Sequence, residues 1–227
     1  MQPFVYCDFF DAETNMAFNE YLKGLHDIKT ISHSYRVCGA VVMNCNPFTN
    51  GHRYLIEQAS QRVDFLYLFI LEEDKSFFPF KERYALVCNG VHDLKNVKVL
   101  PGGKFIISSL TFPGYFTKEE VHNKKDSSSD ISVDLNLFGS HIAPALGISV
   151  RFAGSEPFCT VTKQYNEAMR NLLPVYGIKF VEIERVRHDG GFISATNVRE
   201  LIKSRDRNKI KELVPEVTYK YISENFF

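Results

Sequence analysis

From Val37 onward the chain alternates short apolar runs with segments whose apolar residues recur at helical spacing. That alternation predicts parallel strands joined by crossover helices. Val37–Asn44 (VCGAVVMN) reads as a buried strand, and residues 51–63 as a helix with Tyr54, Leu55, Ala59 and Val63 on one face. Asp64–Leu71 (DFLYLFIL) predicts a second strand, too continuously apolar for a sheet covered on one side only. Pro79 suits the first turn of a helix running to Leu94, because its fixed φ and missing N–H cost nothing there. Asn96–Leu100, Ser149–Ala153 and Lys179–Ile183 predict three further strands, the last two separated by a helix around Lys163–Leu173. The end of the chain, from Thr196 to about Phe227, reads as mostly helical with an interruption at Pro215. The expected fold is α/β: a doubly wound, parallel, five-stranded sheet of Rossmann-like type with helices on both faces.

Two stretches stand outside the alternation. Residues 1–36 predict one amphipathic helix, with Asp11 as N-cap and Phe18, Tyr21, Leu22 and Leu25 on its apolar face, followed by a polar connector. The expected organisation is therefore an N-terminal helix and connector over 1–36 and one domain with C-terminal helices over 37–227. Lys118–Asp134, rich in charge and Ser, reads as a mobile surface loop, with a functional lid as the alternative.

Composition narrows the function classes. Hydrophobic residues make up 44% and charged residues 24% of 227, the balance of a chain with a packed core. Lys plus Arg and Asp plus Glu are 27 each, so bulk electrostatic binding of nucleic acid is not expected. The longest uninterrupted apolar run, Phe65 to Leu71, is far too short for a bilayer, and no membrane association is expected. The first thirty residues lack a secretory leader pattern, and the five cysteines are irregularly spaced without Cys-x-x-Cys, which suits free thiols in the cytoplasm.

The candidate chemistry lies where strands meet helices. After the first strand comes Asn44-Cys-Asn-Pro-Phe-Thr-Asn-Gly-His52, then an immediate helix. Free N–H groups and the helix dipole attract anions there; Gly51 permits close approach, and Thr49 and His52 add side-chain donors. The alternative is that His52 merely caps its own helix. A second segment, Ile193-Ser-Ala-Thr-Asn-Val-Arg199, follows Gly190-Gly191 and opens another helix, with Ser194 as N-cap and Arg199 able to reach the same anion. Lys75, after the second strand, could reach phosphates or be an ordinary solvated lysine. Glu156, after the fourth, could face a nucleotide or be an acidic turn residue. The other histidines lack metal-ligand spacing, and neither a Gly-x-Gly-x-x-Gly nor a Walker Gly-Lys-Ser/Thr motif is present.

Asn46-Pro-Phe-Thr49-Asn-Gly-His52 together with Ile193-Ser-Ala-Thr-Asn-Val-Arg199 resembles the paired signatures of the HxGH nucleotidyltransferase superfamily, with Thr49 in place of the first His. Asp74–Arg83 (DKSFFPFKER) is similar to the Lys-containing loop of the pantetheine-phosphate adenylyltransferase branch. More specifically, VVMNCNPFTNGHRYLIEQA, FIISSLTFPGYF, AGSEPFCTVTKQYNEAMR and VEIERVR, in order over roughly residues 37–220, resemble the catalytic domain of the citrate lyase ligase family. The resemblance implies ATP and acetate as substrates, Mg2+ as the phosphates' counter-ion, and the acyl carrier protein of citrate lyase as partner. It implies catalytic roles for His52, Thr49, Lys75 and Arg199, and ATP contacts from Asn46, Pro47, Phe48, Gly51, Glu156, Ser194 and Thr196. His52 and Thr49 are assigned to the triphosphate, Ser194 and Arg199 to the departing β and γ phosphates, Lys75 to the transferred group, and Asn46 and Glu156 to the ribose or base. Family members usually begin with an acetyltransferase-like domain, for which 36 residues are too few. Transfer to the carrier is therefore the step expected to be slow.

Overall fold

The apolar runs become strands that are buried on both sides. The structure, a computed structural model, describes residues 5–8, 10–30, 36–115, 127–157, 159–189 and 191–227. Strands β1 (Cys38–Met43), β2 (Phe65–Ile70), β3 (Val97–Pro101), β4 (Ile148–Gly154) and β5 (Lys179–Ile183) form one sheet in the order β3-β2-β1-β4-β5. Every neighbouring pair is parallel. Alternate residues feed two apolar layers. Ala40, Tyr67 and Phe69 enter one, and Val41, Leu66, Leu68 and Ile70 the other.

The helices cover both faces, as a parallel sheet requires. The first layer takes its partners from α1 (Ala12–Thr30), α4 (Ser127–Leu137), the π turn Phe138–Ile142 with α5 (Ala143–Leu146), and α6 (Thr160–Leu172). The second is closed by α2 (Asn50–Ser60), α3 (Phe80–Gly90), α7 (Ala195–Lys203), α8 (Arg207–Leu213) and α9 (Glu216–Phe226). A small antiparallel pair, β6 (Arg187–His188) and β7 (Gly191–Phe192), leads into α7. Helix α1 starts at the expected cap, the Thr14 N–H donating to Asp11 Oδ1 at 2.7 Å, and buries Phe18, Leu22 and Leu25.

Several boundaries differ from the sequence expectation. Helix α3 stops at Gly90 rather than Leu94; a Cβ at Gly90 would run into the Phe48 ring, so close packing selects glycine there. The C-terminal stretch is three helices, because Arg205 takes a left-handed φ of 58° and Asp206 caps α8 by accepting from the Lys209 N–H at 3.2 Å. The expected surface loop over Lys118–Asp134 is corrected from Ser127 on, where the chain is helical; residues 118–126 lie outside the described ones. Ile131 and Leu135, four apart, are buried, and Asp134 is buried beside them. Their spacing was masked by the polar residues between.

One buried cation holds the carboxyl edge of the sheet. Arg83, on α3, is wholly buried and donates to the carbonyls of Phe78 (2.9 Å), Asn44 (2.9 Å), Leu71 (2.7 Å) and Glu73 (3.0 Å). These carbonyls follow β1 and β2, so a single guanidinium sets where both strands release the chain. Arg83→Met is expected to cost about 3 kcal/mol or more, since buried carbonyls would lose charged donors. Urea unfolding measures this; a loss under about 1 kcal/mol would mean that water replaces the guanidinium at no net cost.

Candidate active site

Sheet order places a crevice where the strands diverge. The chain leaves β1 toward β2 and β3 on one side and returns through β4 and β5 on the other, the topological switch at which α/β folds hold ligands. A cavity of about 850 Å³ opens there, lined by the ends of β1 (Val42 to Asn46) and β4 (Phe152 to Gly154), and by residues of α2, α6 and α7.

The starts of α2 and α7 meet at this cavity. Thr49 is the N-cap of α2, its hydroxyl accepting from the His52 N–H at 3.3 Å. His52 returns the bond: Nδ1 accepts from the Thr49 N–H at 3.1 Å and lies 2.9 Å from Thr49 Oγ1. A backbone N–H can only donate, so Nδ1 carries no proton and the neutral ring holds its hydrogen on Nε2. The ring stacks on Phe48 with centroids 6.2 Å apart. Desolvation by burial, helped by Arg185, pushes the His52 pKa down to about 4, so Nε2–H is a neutral donor at pH 7.

Ser194 caps α7, its Oγ accepting from the Thr196 N–H at 3.2 Å. Arg199 donates from Nη1 to the Asn46 carbonyl at 2.6 Å and from Nη2 to Thr196 Oγ1 at 3.0 Å. A Cβ on Gly51 would touch Ile193 at 3.4 Å, so the two helix starts are in contact. The two segments, more than 140 residues apart in the chain, thus meet at one site, as the pairing of their signatures implied.

Other sequence-singled residues take different places. Pro47 and Phe48 are buried and are not among the residues lining the cavity, Phe48 packing against Gly90 and the ring of His52. Thr49 lines the cavity as expected, and its hydroxyl also accepts from the His52 N–H and so orients that ring. Asn46 lines the cavity, and its Oδ1 accepts from the Phe78 N–H at 2.9 Å, which holds the loop. Glu156 lines the cavity, its carboxylate set against Arg185 and accepting from the Cys159 N–H at 3.1 Å. Lys75 lines the rim, its Nζ donating to Ser109 Oγ at 2.7 Å and lying 3.6 Å from Glu73 Oε1.

Sequence reasoning missed Arg185 and Arg151, which also line the cavity. Arg185 donates from Nε to the Ser155 carbonyl at 2.6 Å. Arg151 sits on β4 and Arg185 follows β5 within the VEIERVR segment, whose resemblance to the family assigned Arg185 no role. With Lys75 and Arg199 they make the cavity basic in a chain of zero formal charge. Among the described residues the cavity carboxylates, Glu156 and Glu184, belong to no cluster of three metal-type ligands; the one such cluster, His188, Asp189 and Glu212, is exposed and lies off the cavity lining.

A parallel sheet with two capped helix starts at its switch point defines a nucleotidyltransferase-type Rossmann-like fold. Two solved structures share it. Thermotoga maritima TmcAL bound with alpha-thio ATP superposes with a TM-score of 0.51 at 15% identity, over 83% of this chain and 55% of that one. A bifunctional NMN adenylyltransferase/ADP ribose pyrophosphatase from Francisella tularensis gives 0.50 at 14% identity, over 83% and 49%. The chain belongs to the citrate lyase ligase C-terminal domain family, whose model matches residues 38–222. The [citrate [pro-3S]-lyase] ligase of Escherichia coli (strain K12) is 45% identical over 200 residues, 86% of this chain and 56% of that protein. The chain thus spans little more than half the length of the curated relatives it matches. Among the described residues no helix is long and apolar enough to cross a membrane.

The tautomer and pKa of His52 are open to direct measurement. Imidazole 1H–15N spectra should show Nε2–H at neutral pH and titration near pH 4; titration near 6.5 would contradict the capping geometry. An unfolded histidine binds its proton near 6.5, so between about 6.5 and 4 the unfolded state binds more protons. His52 therefore removes stability as pH falls through that window and contributes no such loss above it.

Proposed function

We propose that this chain carries the adenylating site of an ATP-dependent acid–thiol ligase: acetate and ATP react to acetyl-adenylate and pyrophosphate, and the acetyl group then passes to a thiol. The observation that carries this reading is the meeting of the α2 and α7 N-termini, with His52, Arg199 and Arg185, around one cavity. Such a cradle suits a polyphosphate. Family membership supports the choice of acid and acceptor, the latter being the prosthetic thiol on the acyl carrier subunit of citrate lyase.

In the first step a carboxylate oxygen attacks the α-phosphorus, the bond to the bridging oxygen breaks, and its electron pair leaves with pyrophosphate. No proton moves, so no general base is required, and the protein contributes position and charge stabilisation. His52 offers Nε2–H to the triphosphate while Thr49 holds its ring. Ser194, Thr196 and the first N–H groups of α7 receive the β and γ phosphates beside Arg199, and Lys75 at the rim serves the transferred group. Asn46 and Glu156 act through the arginines they hold, and Gly51 keeps the seam between the helix starts narrow. Magnesium would arrive on the phosphates of ATP, whose charge it shares with these donors. In the second step the carrier thiolate attacks the acetyl carbon and AMP leaves.

Acetate-dependent exchange of labelled pyrophosphate into ATP tests the first step. The wild-type chain should exchange, and His52→Ala should lower the rate about 10²-fold or more, as loss of a preorganised donor does. Its stability should fall only by about 1 kcal/mol, the worth of one cap. Exchange that requires a phosphorylated acceptor would instead establish a small-molecule adenylyl- or cytidylyltransferase, and nucleotide binding without exchange a non-catalytic domain.

A further inference from the structure

We infer that Arg151 is the anchor for the carboxylate of the acid to be adenylated, and that the arm of the cavity between β4 and α6 takes a short monocarboxylate. This rests on the adenylating reading above and adds the acid subsite to it. Arg151 sits in the middle of the sheet, its register partners being Ala40 of β1 and Phe180 of β5. It is 3% exposed, lines the cavity, and has no hydrogen-bond partner at Nε or Nη1. Its guanidinium lies 4.6 Å over the Phe138 ring.

The neighbouring acid does not satisfy it. Asp134 is buried, and its carboxyl group accepts from the Ile107 N–H (2.5 Å), Thr111 Oγ1 (2.7 Å) and Tyr165 Oη (2.5 Å), whereas Arg151 Nε and Nη1 donate to neither of its oxygens. Buried charged donors left without acceptors are rare and costly. The other basic residues of the cavity are engaged: Arg185 with Glu156, Arg199 with Asn46 and Thr196, Lys75 with Ser109. Burial lowers the Arg151 pKa from its ordinary value while Tyr165 and Asp134 oppose the shift, and the guanidinium remains charged.

An arriving carboxylate supplies the missing acceptor. Arg151 faces the layer of α1 and α4–α6, whereas α2 and α7 belong to the opposite layer. The acid therefore meets the phosphate cradle from the other side of the sheet edge, as in-line displacement requires. One oxygen accepts from Arg151, and the other forms the bond to the α-phosphorus as pyrophosphate departs with the electron pair. Val42, Ile107 and Met169 give the arm apolar walls suited to a short aliphatic tail. Among the described lining residues no second unengaged cation is present for a second carboxylate.

The test measures pyrophosphate exchange against acetate concentration in the wild type, Arg151→Met and Arg151→Lys, with ATP affinity determined separately by thermal shift. Arg151→Met should raise the acetate KM about 10- to 100-fold with ATP affinity unchanged, and Arg151→Lys should restore part of the loss. An unchanged acetate KM in a variant that still binds ATP would overturn the assignment alone. No acid-dependent exchange by the wild type would overturn the adenylating reading and this subsite with it. Hydrogen exchange of the wild type, with α,β-methylene ATP and with or without acetate, gives a check that needs no variant to fold. Added protection over residues 148–154 and 160–172 is expected, and protection confined to α2 and α7 would overturn the subsite.

Discussion

Arg83 is the constraint on which the site geometry depends. A guanidinium has five N–H donors and no acceptor, so its burial demands several carbonyls converging on one point. Here they come from the ends of β1 and β2 and from the loop before α3. Holding Asn44 in this way sets the start of the loop that carries Asn46 and Thr49. Asn46 then binds the Phe78 N–H through its side chain and Arg199 through its carbonyl. A continuous set of bonds thus runs from a core arginine under the sheet edge to the arginine at the α7 start.

The cavity uses its cations in different ways. Arg199 is held by uncharged oxygens, so its full positive charge remains for an anion. Arg185 is partly neutralised by Glu156 and serves more to close the wall after β4. His52 adds a donor without adding charge, because its cap fixes Nδ1 as an acceptor and burial opposes protonation. A donor that stays neutral at pH 7 does not repel the nearby arginine. The cavity can then concentrate positive potential at the helix starts, where backbone N–H groups contribute as well.

Capping gives several signature residues a second task. The sequence of a helix start selects Thr and His both for the cap and for the chemistry, and the two uses compete for the same atoms. Thr49 uses its hydroxyl oxygen as the cap's acceptor, and His52 uses Nδ1 and retains Nε2. Pro47 and Phe48 belong to the same short segment yet lie beneath the loop, since a segment that turns from strand to helix must bury one side of itself.

Periodicity and local chemistry by themselves determined much of this protein. Continuous apolar runs required a sheet covered on both faces, Asp11 and Ser194 marked helix starts, and the strand–loop–helix segments at Thr49 and Ser194 pointed to anion binding. These are short-range properties, set by side-chain spacing and by unpaired backbone groups within one turn. The helix over Ser127–Leu137 escaped because its apolar residues are few and its polar ones many. Only the tertiary structure decided which oxygens of Asn46 and Glu156 are already taken, that Arg83 ties two strand ends, and that Arg151 stands buried with donors unmet beside an aspartate already satisfied. Those outcomes depend on residues far apart in the chain competing for the same few hydrogen bonds, a competition that no local pattern encodes.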